Sequence, residues 1–288
     1  MIICIVGPTG VGKTKMSVEL AKKYDGIIIN CDAMQVYKDM NVATAKVTED
    51  EKCGIKHYLL DICNVEDDYN IFEYQKDCRN VIEENKDKNI IIVGGSGLYL
   101  KSALFDYRFS LEDENNTYED FTNEELYKLA LKKDKDMDIH VNNRKRIIRF
   151  LNKKNEEKVE PKLLYDDVYF IGLTTDRNNL YEIINKRVDK MVDDGLIEEA
   201  KKFYDMKIDC KSLNTGIGYK ELFKYINAEL TLEESLDLIK KNSRHYAKRQ
   251  YTWFNNQMDI KWFDVDYDNF NNTIDEVVKY IENKRNVN

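Results

Sequence analysis

The sequence has little of what places a protein in a membrane or a secretory pathway. Its apolar runs, such as Ile2–Val6 and Ile90–Val93, are far shorter than the roughly 18 residues that a membrane-spanning helix needs. The first residues enter an apolar run at once, and no basic, signal-like segment precedes it. We therefore expect a cytoplasmic protein that has no membrane partner.

Paired cysteines are also missing. The six cysteines are Cys4, Cys31, Cys53, Cys63, Cys78 and Cys210, and no two of them are spaced as Cys-x-x-Cys. Several lie inside apolar runs, where a reduced thiol packs as a small hydrophobic side chain. The pattern argues against a disulfide framework and against a zinc site.

An excess of positive charge is absent as well, since the net charge is −8, which taken alone argues against a nucleic-acid partner. The cations are segregated, however. Residues 142–154 contain six cations and no anion, and residues 240–249 add Lys240, Lys241, Arg244, Lys248 and Arg249. One such cluster is ordinarily a solvated helix face, but two of them in an acidic chain favour a polyanionic ligand.

The strongest motif that is present follows the first apolar run. Residues 7–14 fit Gly-x-x-x-x-Gly-Lys-Ser/Thr at every fixed position and lie between a predicted strand and a predicted helix, which is the context of a phosphate-binding P-loop. They are Gly7, Pro8, Thr9, Gly10, Val11, Gly12, Lys13 and Thr14. Glycines let backbone N–H groups surround phosphate oxygens, the helix N-terminus adds positive potential, and Lys13 adds a full charge. Thr14 is placed to bind Mg²⁺.

Strand and helix patterns alternate after the P-loop. Apolar runs at 27–30, 57–63 and 89–93 predict strands, and amphipathic stretches between them predict helices. With 42% apolar residues the chain can bury a substantial core. The alternation predicts an α/β fold with a doubly wound parallel sheet that is flanked by helices.

Two polar side chains follow predicted strands at the edge where the P-loop lies. Asp32 comes after the second strand, and Ser96 comes after the fourth strand, behind Gly94 and Gly95. Ligands of open α/β sheets bind outside the carboxyl ends of the strands, so both side chains should face the P-loop. Asp32 could hold a metal, act as a general base, or cap a turn.

The remaining sequence suggests an insertion and a return to the sheet. We predict a first part of the core over 1–106, a small, mainly helical insertion with the basic segment over 107–165, and the second part of the core over 166–288. In that last part the sequence predicts a strand at 168–173, a helix capped by Asp176 and closed by Gly195, a loop at 216–221, a helix opened by a Thr231–Glu234 capping box, and a final strand and helix. Arg187 lies one residue off the apolar stripe of its helix, so surface solvation is its default interpretation.

Together these residues resemble the tRNA dimethylallyltransferase family, the isopentenyl transferases that modify the adenosine 3′ to the anticodon. The resemblance covers most of the chain, and the ordered set is specific, whereas a P-loop alone would fit many enzymes. The matching segments are 7–14, 32–38, 44–46, 57–61, 93–99, 140–151, 187–191, 195–199, 216–221 and 244–254.

The resemblance implies a function for each of these sites. The P-loop and Arg187 would hold the diphosphate of dimethylallyl diphosphate with Mg²⁺, Asp32 would accept the proton of the attacking N6 amine, and Ser96 would orient that amine. The tRNA anticodon stem-loop would be contacted by two segments, which comprise Asp32, Ala33, Met34, Gln35, Lys145, Arg146, Ile147, Ile148 and Arg149. The adenine would be flipped out of its stack to reach the crevice. We expect a monomer.

The sequence departs from the family pattern at a few positions and leaves other functions open. Ala33 stands where serine is common, Asp39 and Ala43 replace glycines, Val141 replaces a proline, and the insertion is short and acidic. The alternatives are a nucleoside or nucleotide kinase that would bind ATP in the P-loop, an isopentenyltransferase that acts on adenylate, and a P-loop RNA-binding or switch protein. The two basic clusters favour an RNA substrate over a free nucleotide.

Overall fold

The computed structural model describes residues 1–109, 118–152 and 161–286. The described residues contain one six-stranded sheet. Its strands are β1 (Ile2–Val6), β2 (Gly26–Asn30), β3 (His57–Tyr58), β4 (Asn89–Val93), β5 (Val168–Thr174) and β6 (Lys261–Asp264). The spatial order is β3-β2-β4-β1-β5-β6, and every neighbouring pair is parallel. The predicted parallel α/β fold is confirmed.

Helices connect and flank these strands. In the first part of the chain they are α1 (Lys13–Tyr24), α2 (Glu49–Lys52), α3 (Ile71–Glu84) and α4 (Gly97–Leu104). The middle of the chain contains α5 (Asn123–Lys133) and α6 (Arg144–Asn152). The last part contains α7 (Arg177–Asp193), α8 (Leu196–Asp205), α9 (Lys211–Thr215), α10 (Tyr219–Ile226), α11 (Leu232–Gln257) and α12 (Phe270–Arg285).

The apolar strands are explained by cores on both faces of the sheet. In β1 the side chains of Ile3 and Ile5 join a core that also contains residues of α1 and α12. Cys4 and Val6 point to the opposite face and join a core with residues of α3 and α4. Because alternate residues of a strand enter opposite cores, the strand has no polar positions, which produces the continuous apolar run seen in the sequence.

The strand order places a topological switch point at β1. From β1 the chain crosses to β2 and β3 on one side of the sheet, and β5 and β6 later extend the sheet on the other side. Crossover connections therefore leave in opposite directions at the carboxyl end of β1, which opens a crevice there. The P-loop follows β1 directly and lies at that crevice.

The structure corrects two local predictions. The run at 57–63 forms a strand only over His57–Tyr58, because Leu59 and Asp61 adopt positive φ angles of 60° and 53° that turn the chain away from the sheet. The predicted loop at 216–221 is only partly a loop, since α10 begins at Tyr219. Helices α8, α9 and α10 pack around Leu196, Phe203 and Leu222 in a third core that was not predicted.

Helix starts were predicted more accurately. The Asp176 side chain accepts hydrogen bonds from the backbone N–H groups of Asn178 and Asn179 and caps α7. Thr231 and Glu234 form the expected capping box of α11. Such capping depends on local chemistry, which the sequence displays directly.

The chain divides into two compact units. The larger unit contains residues 1–105 and 163–288, and the smaller unit contains residues 106–162. In the smaller unit α5 and α6 pack around Leu126, Ala130 and Ile147, and Thr122 caps α5 in a capping box with Glu125. The last two residues of the basic segment 142–154 lie outside the described residues.

The lengths and polarities of the helices bear on the membrane prediction. In the described ranges, 1–109, 118–152 and 161–286, no helix is both long enough and apolar enough to cross a membrane.

Candidate active site

The P-loop has a backbone that requires glycine. Gly7, Gly10 and Gly12 have φ angles of 136°, 93° and 83°, which L-residues rarely adopt. A Cβ on Gly7 would also lie 2.3 Å from the backbone oxygen of Leu173. Gly12 precedes the first residue of α1, so the unpaired N–H groups of that helix start lie at the loop.

Lys13 is held inside the loop. Its Nζ donates hydrogen bonds to the carbonyl oxygens of Gly7 at 3.0 Å and Pro8 at 2.8 Å. Burial, with a further contribution from the like charge of Arg187, lowers the pKa of Lys13 to about 7, while the negative charge of Asp32 opposes this shift. An anion bound in the loop would favour the charged form of Lys13.

Arg187 is directed into the site, as the family resemblance implies, and is not the solvated side chain that its helical position alone would suggest. It lies on α7, is half-buried, and donates a hydrogen bond from Nη1 to the hydroxyl of Thr9 at 2.8 Å. Burial lowers the pKa of Arg187, but the guanidinium starts from so high a pKa that it stays protonated at neutral pH. The loop therefore has a second cation beside Lys13.

Asp32 is fixed in the turn that follows β2. Its Oδ1 accepts a hydrogen bond from the backbone N–H of Met34 at 2.9 Å, and its own N–H donates to Oδ1 of Asn30 at 3.1 Å. The amide of Asn30 is buried and also donates to the carbonyl oxygen of Leu59, so a packed side chain anchors the turn. One carboxylate oxygen of Asp32 thus stabilises the turn, and the carboxylate also lines the larger cavity of the site.

Ser96 reaches the Asp32 segment from β4. Its hydroxyl oxygen accepts a hydrogen bond from the backbone N–H of Ala33 at 3.0 Å. The two glycines before it permit this approach, because a Cβ on Gly94 would lie 2.0 Å from the carbonyl oxygen of Cys31. Ser96 is not among the residues that line the two cavities at this site.

Gln250 is a site residue that sequence reasoning did not single out. Its buried side-chain amide on α11 accepts a hydrogen bond from Thr9 N–H at 3.0 Å and donates one to the carbonyl oxygen of Gly95 at 3.2 Å. It thereby joins the P-loop to the loop that carries Ser96. The sequence contained one indication of this role. Gln250 falls on the buried stripe of α11, and a buried amide needs hydrogen-bond partners.

Tyr246, one turn before Gln250, was also missed. It lines both cavities, and burial, followed by the negative charge of Asp32, raises the pKa of its phenol. Hydrogen bonds with Gln250 and Ser96 offset part of that rise. At neutral pH the phenol therefore remains protonated and can donate a hydrogen bond.

The larger cavity has a volume of about 730 Å³ and contains most of the predicted phosphate site. Among its lining residues are Thr9, Gly10, Gly12, Lys13, Thr14, Asp32, Gln35, Arg187 and Tyr246. A second cavity of about 310 Å³ shares Thr9, Asp32, Arg187 and Tyr246 with it and adds Ala33 and Met34. Asp32 therefore borders both spaces, so groups bound in the two could meet at its carboxylate.

Some predicted residues have other positions. Val11 is fully buried in the core beneath the loop, so only its backbone can contribute to binding. In the smaller unit, the Ile147 side chain is likewise fully buried and supports α6 from inside, whereas Lys145, Arg146 and Arg149 are exposed.

Arg144 differs from its neighbours in the basic segment. Its guanidinium is committed to the carbonyl oxygens of Tyr118, Glu119 and Phe121 within the smaller unit. Although Arg144 is one of the six cations counted in this segment, three backbone acceptors hold its charge within the smaller unit.

The donor atoms fit a magnesium ion that is bound together with a phosphate ligand. Thr14 is exposed at the start of α1 and lines the larger cavity with Asp32. In the described parts of the chain no group of three or more His, Cys, Asp and Glu side chains could hold a metal. Few protein oxygens are needed, because Mg²⁺ commonly takes its remaining ligands from phosphates and water.

Comparison with known proteins agrees with this geometry. A family model described as IPP transferase matches residues 35–257. The chain is 44% identical to a tRNA dimethylallyltransferase of Anoxybacillus flavithermus, with 98% of this chain and 96% of the relative covered. It is 45% identical to one of Bacillus anthracis, with 98% and 96% covered.

Solved structures give the same result. The tRNA isopentenylpyrophosphate transferase of Bacillus halodurans superposes with a TM-score of 0.75 at 38% identity, covering 99% of this chain and 98% of that one. A eukaryotic dimethylallyltransferase acting on tRNA superposes with a TM-score of 0.75 at 30% identity, covering 91% and 73%. The P-loop crevice with its Asp32 and Arg187 side chains is thus found in a chain that belongs to the IPP transferase family.

Proposed function

We propose that this protein transfers a dimethylallyl group from dimethylallyl diphosphate to N6 of the adenosine 3′ to the anticodon in tRNA. The observation that carries the proposal is the single cavity that Asp32, Lys13 and Arg187 share. It brings cations and backbone N–H groups that can bind a diphosphate together with a carboxylate. Prenyl transfer to an amine needs both, because the prenyl donor releases diphosphate and the amine releases a proton.

The diphosphate is the leaving group. As the C1–oxygen bond breaks, negative charge develops on the departing oxygen, where the P-loop N–H groups, Lys13 and Arg187 stabilise it. Mg²⁺ held by the diphosphate and Thr14 would neutralise part of the same charge. The P-loop N–H groups, Lys13 and Arg187 are in place before the reaction, so these protein groups need little reorganisation.

The adenine supplies the nucleophile. N6 forms a bond to C1 of the donor, and its proton passes to the carboxylate of Asp32, which leaves N6-(dimethylallyl)adenosine and diphosphate as products. Ser96 fixes the backbone beside Asp32 through Ala33 N–H, which supports a role in orientation. The second cavity, which Asp32 also borders, offers room for a base that has been flipped out of its stack.

The RNA partner would be the anticodon stem-loop. Ala33, Met34 and Gln35 line the cavities, and Lys145, Arg146 and Arg149 are exposed on α6. Because Lys13, Asp32, Ser96 and Arg187 all come from one chain, a monomer would suffice, and its tRNA substrate would place it in the cytoplasm.

The test is direct product analysis. Purified protein is incubated with Mg²⁺, dimethylallyl diphosphate and a tRNA whose anticodon is followed by adenosine, and nucleosides from the digested tRNA are analysed by mass spectrometry. We expect a gain of one dimethylallyl group on that adenosine and none on a tRNA with guanosine there. Unmodified tRNA would refute the proposal, modified AMP would indicate an adenylate enzyme, and substrate-dependent ATP turnover would indicate a kinase.

A further inference from the structure

The segment between β2 and α2 forms part of the wall of the larger cavity. Asn41, Val42, Thr44, Ala45, Lys46, Val47 and Thr48 all line it, together with the P-loop. Ala43 and Thr44 line the second cavity as well. We define residues 41–48 as the wall segment. Its position determines the shape of the space beside the diphosphate site.

The wall segment does not hold its shape by regular secondary structure. It contains no strand, and Ala45 has a positive φ angle of 45°, which alanine rarely adopts. Two backbone hydrogen bonds, from Ala45 N–H to the carbonyl oxygen of Val42 and from Lys46 N–H to that of Asn41, form a local turn within it, and side chains from elsewhere hold that turn in place. The side-chain amide of Gln35 contributes by donating to the carbonyl oxygens of Thr44 at 3.1 Å and Ala45 at 3.4 Å.

Glu199, on α8, supplies the largest group of contacts. One of its carboxylate oxygens accepts hydrogen bonds from the backbone N–H groups of Asn41 at 2.9 Å and Val42 at 2.8 Å. The other accepts from Ala43 N–H at 3.0 Å and from the hydroxyl of Tyr219 at 2.6 Å. Three consecutive N–H groups and a phenol thus meet one carboxylate, and hydrogen bonds to an ionised acceptor are stronger than neutral ones.

We propose that Glu199 is a positioning residue that holds the wall segment against the hydrocarbon part of the prenyl donor. This inference rests on the proposed function. A diphosphate in the P-loop leaves the branched five-carbon chain in the rest of the same cavity, where Val42, Ala45 and Val47 provide apolar surface. Glu199 itself touches neither the P-loop nor Asp32 and acts through the backbone of the wall segment.

The matched test substitutes Glu199→Gln, with Glu198→Gln as control. Glutamine has nearly the same shape but only one acceptor oxygen, so it cannot accept from all four donors. Glu198 is the preceding residue of the same helix and is exposed. Binding is measured with two probes in the absence of RNA, inorganic diphosphate and dimethylallyl diphosphate, both with Mg²⁺.

We expect Glu199→Gln to weaken binding of dimethylallyl diphosphate about tenfold and binding of inorganic diphosphate less than twofold, with neither changed by Glu198→Gln. Tyr219→Phe, which removes one of the four donors, should have a smaller effect in the same direction. In steady-state assays the KM for the donor should rise while kcat changes little. Equal weakening of both probes, or no weakening, would overturn the proposal, because a merely structural role would not distinguish them.

Amide hydrogen exchange provides a readout that does not depend on the donor. Loss of the carboxylate acceptor should accelerate exchange at Asn41, Val42 and Ala43 at least tenfold in Glu199→Gln and leave it unchanged in Glu198→Gln. Unchanged exchange in Glu199→Gln would overturn the positioning role. If the wild-type protein transferred no dimethylallyl group to tRNA, the proposed donor would be wrong, and exchange at these amides would still decide whether Glu199 holds the wall segment.

Discussion

At the scale of single residues, the site depends on charges that are held close together before any ligand arrives. Lys13 is hydrogen-bonded to carbonyl oxygens of the loop, and Arg187 adds to the lowering of its pKa by burial. Two neighbouring cations repel each other in the free protein, and a diphosphate relieves this repulsion. Ligand binding should therefore be coupled to protonation of Lys13.

The first prediction concerns this coupling. With a pKa of about 7 in the free protein, Lys13 is largely neutral at pH 8.5, and a bound diphosphate raises that pKa. Binding should then take up a proton from solution above pH 7 and weaken as pH rises, whereas below pH 6 this uptake should vanish. Calorimetry with inorganic diphosphate in buffers of different ionisation enthalpy measures the uptake.

Lys13→Met is the control for that measurement. It removes the titrating group, while any protons that the diphosphate itself exchanges with solvent on binding are still measured. At pH 8.5 the wild-type protein should take up close to one proton more than the variant. Equal uptake in the two proteins would show that Lys13 is already charged in the free site.

The second prediction concerns Asp32. Asp32→Ala should lower the rate of transfer by roughly 10²–10⁴-fold, as removal of a general base typically does. Asp32→Asn keeps a side-chain oxygen that can accept the N–H of Met34, so the turn should be preserved while proton acceptance is lost. This variant should therefore be about as inactive as Asp32→Ala. Single-turnover assays measure the rate, and binding of inorganic diphosphate should persist in both variants. Loss of that binding would instead make Asp32 a ligand-holding or structural group.

At the scale of secondary-structure elements, α11 connects the two loops of the site. The side-chain amide of Gln250 bonds the P-loop at Thr9 and the β4–α4 loop at Gly95. A Cβ on Gly95 would lie 1.9 Å from Nε2 of Gln250, so the glycine is required by the close approach of this amide. One helix thus joins the two loops that already follow the paired strands β1 and β4.

The third prediction follows from this contact. Gly95→Ala should destabilise the protein by about 1–3 kcal/mol, because the added methyl group displaces the amide. Gln250→Ala should destabilise the protein by about 1–3 kcal/mol, because Thr9 N–H and the carbonyl oxygen of Gly95 would lose their hydrogen-bond partner. In the double variant the methyl group no longer clashes, so the combined cost should fall at least about 1 kcal/mol short of the sum. Denaturant unfolding of the four proteins measures this, and additive costs would contradict the proposed contact.

The elements also show which local features the sequence could predict. Capping residues at Asp176 and Thr231 identified two helix starts, because their hydrogen bonds form within a few residues. The run at 57–63 was misjudged, since positive φ angles at Leu59 and Asp61 are determined by surrounding structure and not by residue type. Asp39 is a second case in which residue type does not reveal the backbone conformation. Its φ of 64° is one that glycine adopts readily, which explains why the family pattern has glycine at this position.

At the scale of the whole molecule, charge is distributed unevenly. The chain has a net charge of −8, yet α6 of the smaller unit exposes Lys145, Arg146 and Arg149. The smaller unit begins and ends at neighbouring points of the larger one, since Phe105 and Leu163 form an antiparallel bridge. A polyanion can therefore be bound by a local surface in spite of the overall negative charge.

The fourth prediction tests that surface. The double variant Lys145→Ala/Arg146→Ala should weaken tRNA binding about tenfold at low salt. It should also reduce the dependence of log affinity on log salt concentration by about 1.5, because each lost phosphate contact contributes about 0.7–0.9. Binding of inorganic diphosphate should not change. Filter binding over a series of salt concentrations measures both quantities.

Lys128→Ala/Lys132→Ala is the matched control, since it removes two exposed cations from α5 of the same unit. This control should retain both the affinity and the salt dependence of the wild-type protein. Equal losses in the two double variants would indicate that net charge, and not the α6 surface, determines tRNA binding.

Residue types, short spacings and the period of apolar residues were sufficient to predict the P-loop, the parallel sheet, and the places of Asp32 and Ser96 after its strands, and the family resemblance implied that Arg187 reaches the diphosphate. The folded chain was needed to show that Gln250 and Tyr246 belong to the site, that Arg144 is held by backbone acceptors, and that Glu199 contacts the wall segment. These roles depend on contacts between residues far apart in the chain. Such contacts are fixed by how the helices pack, and no local pattern in the sequence records them.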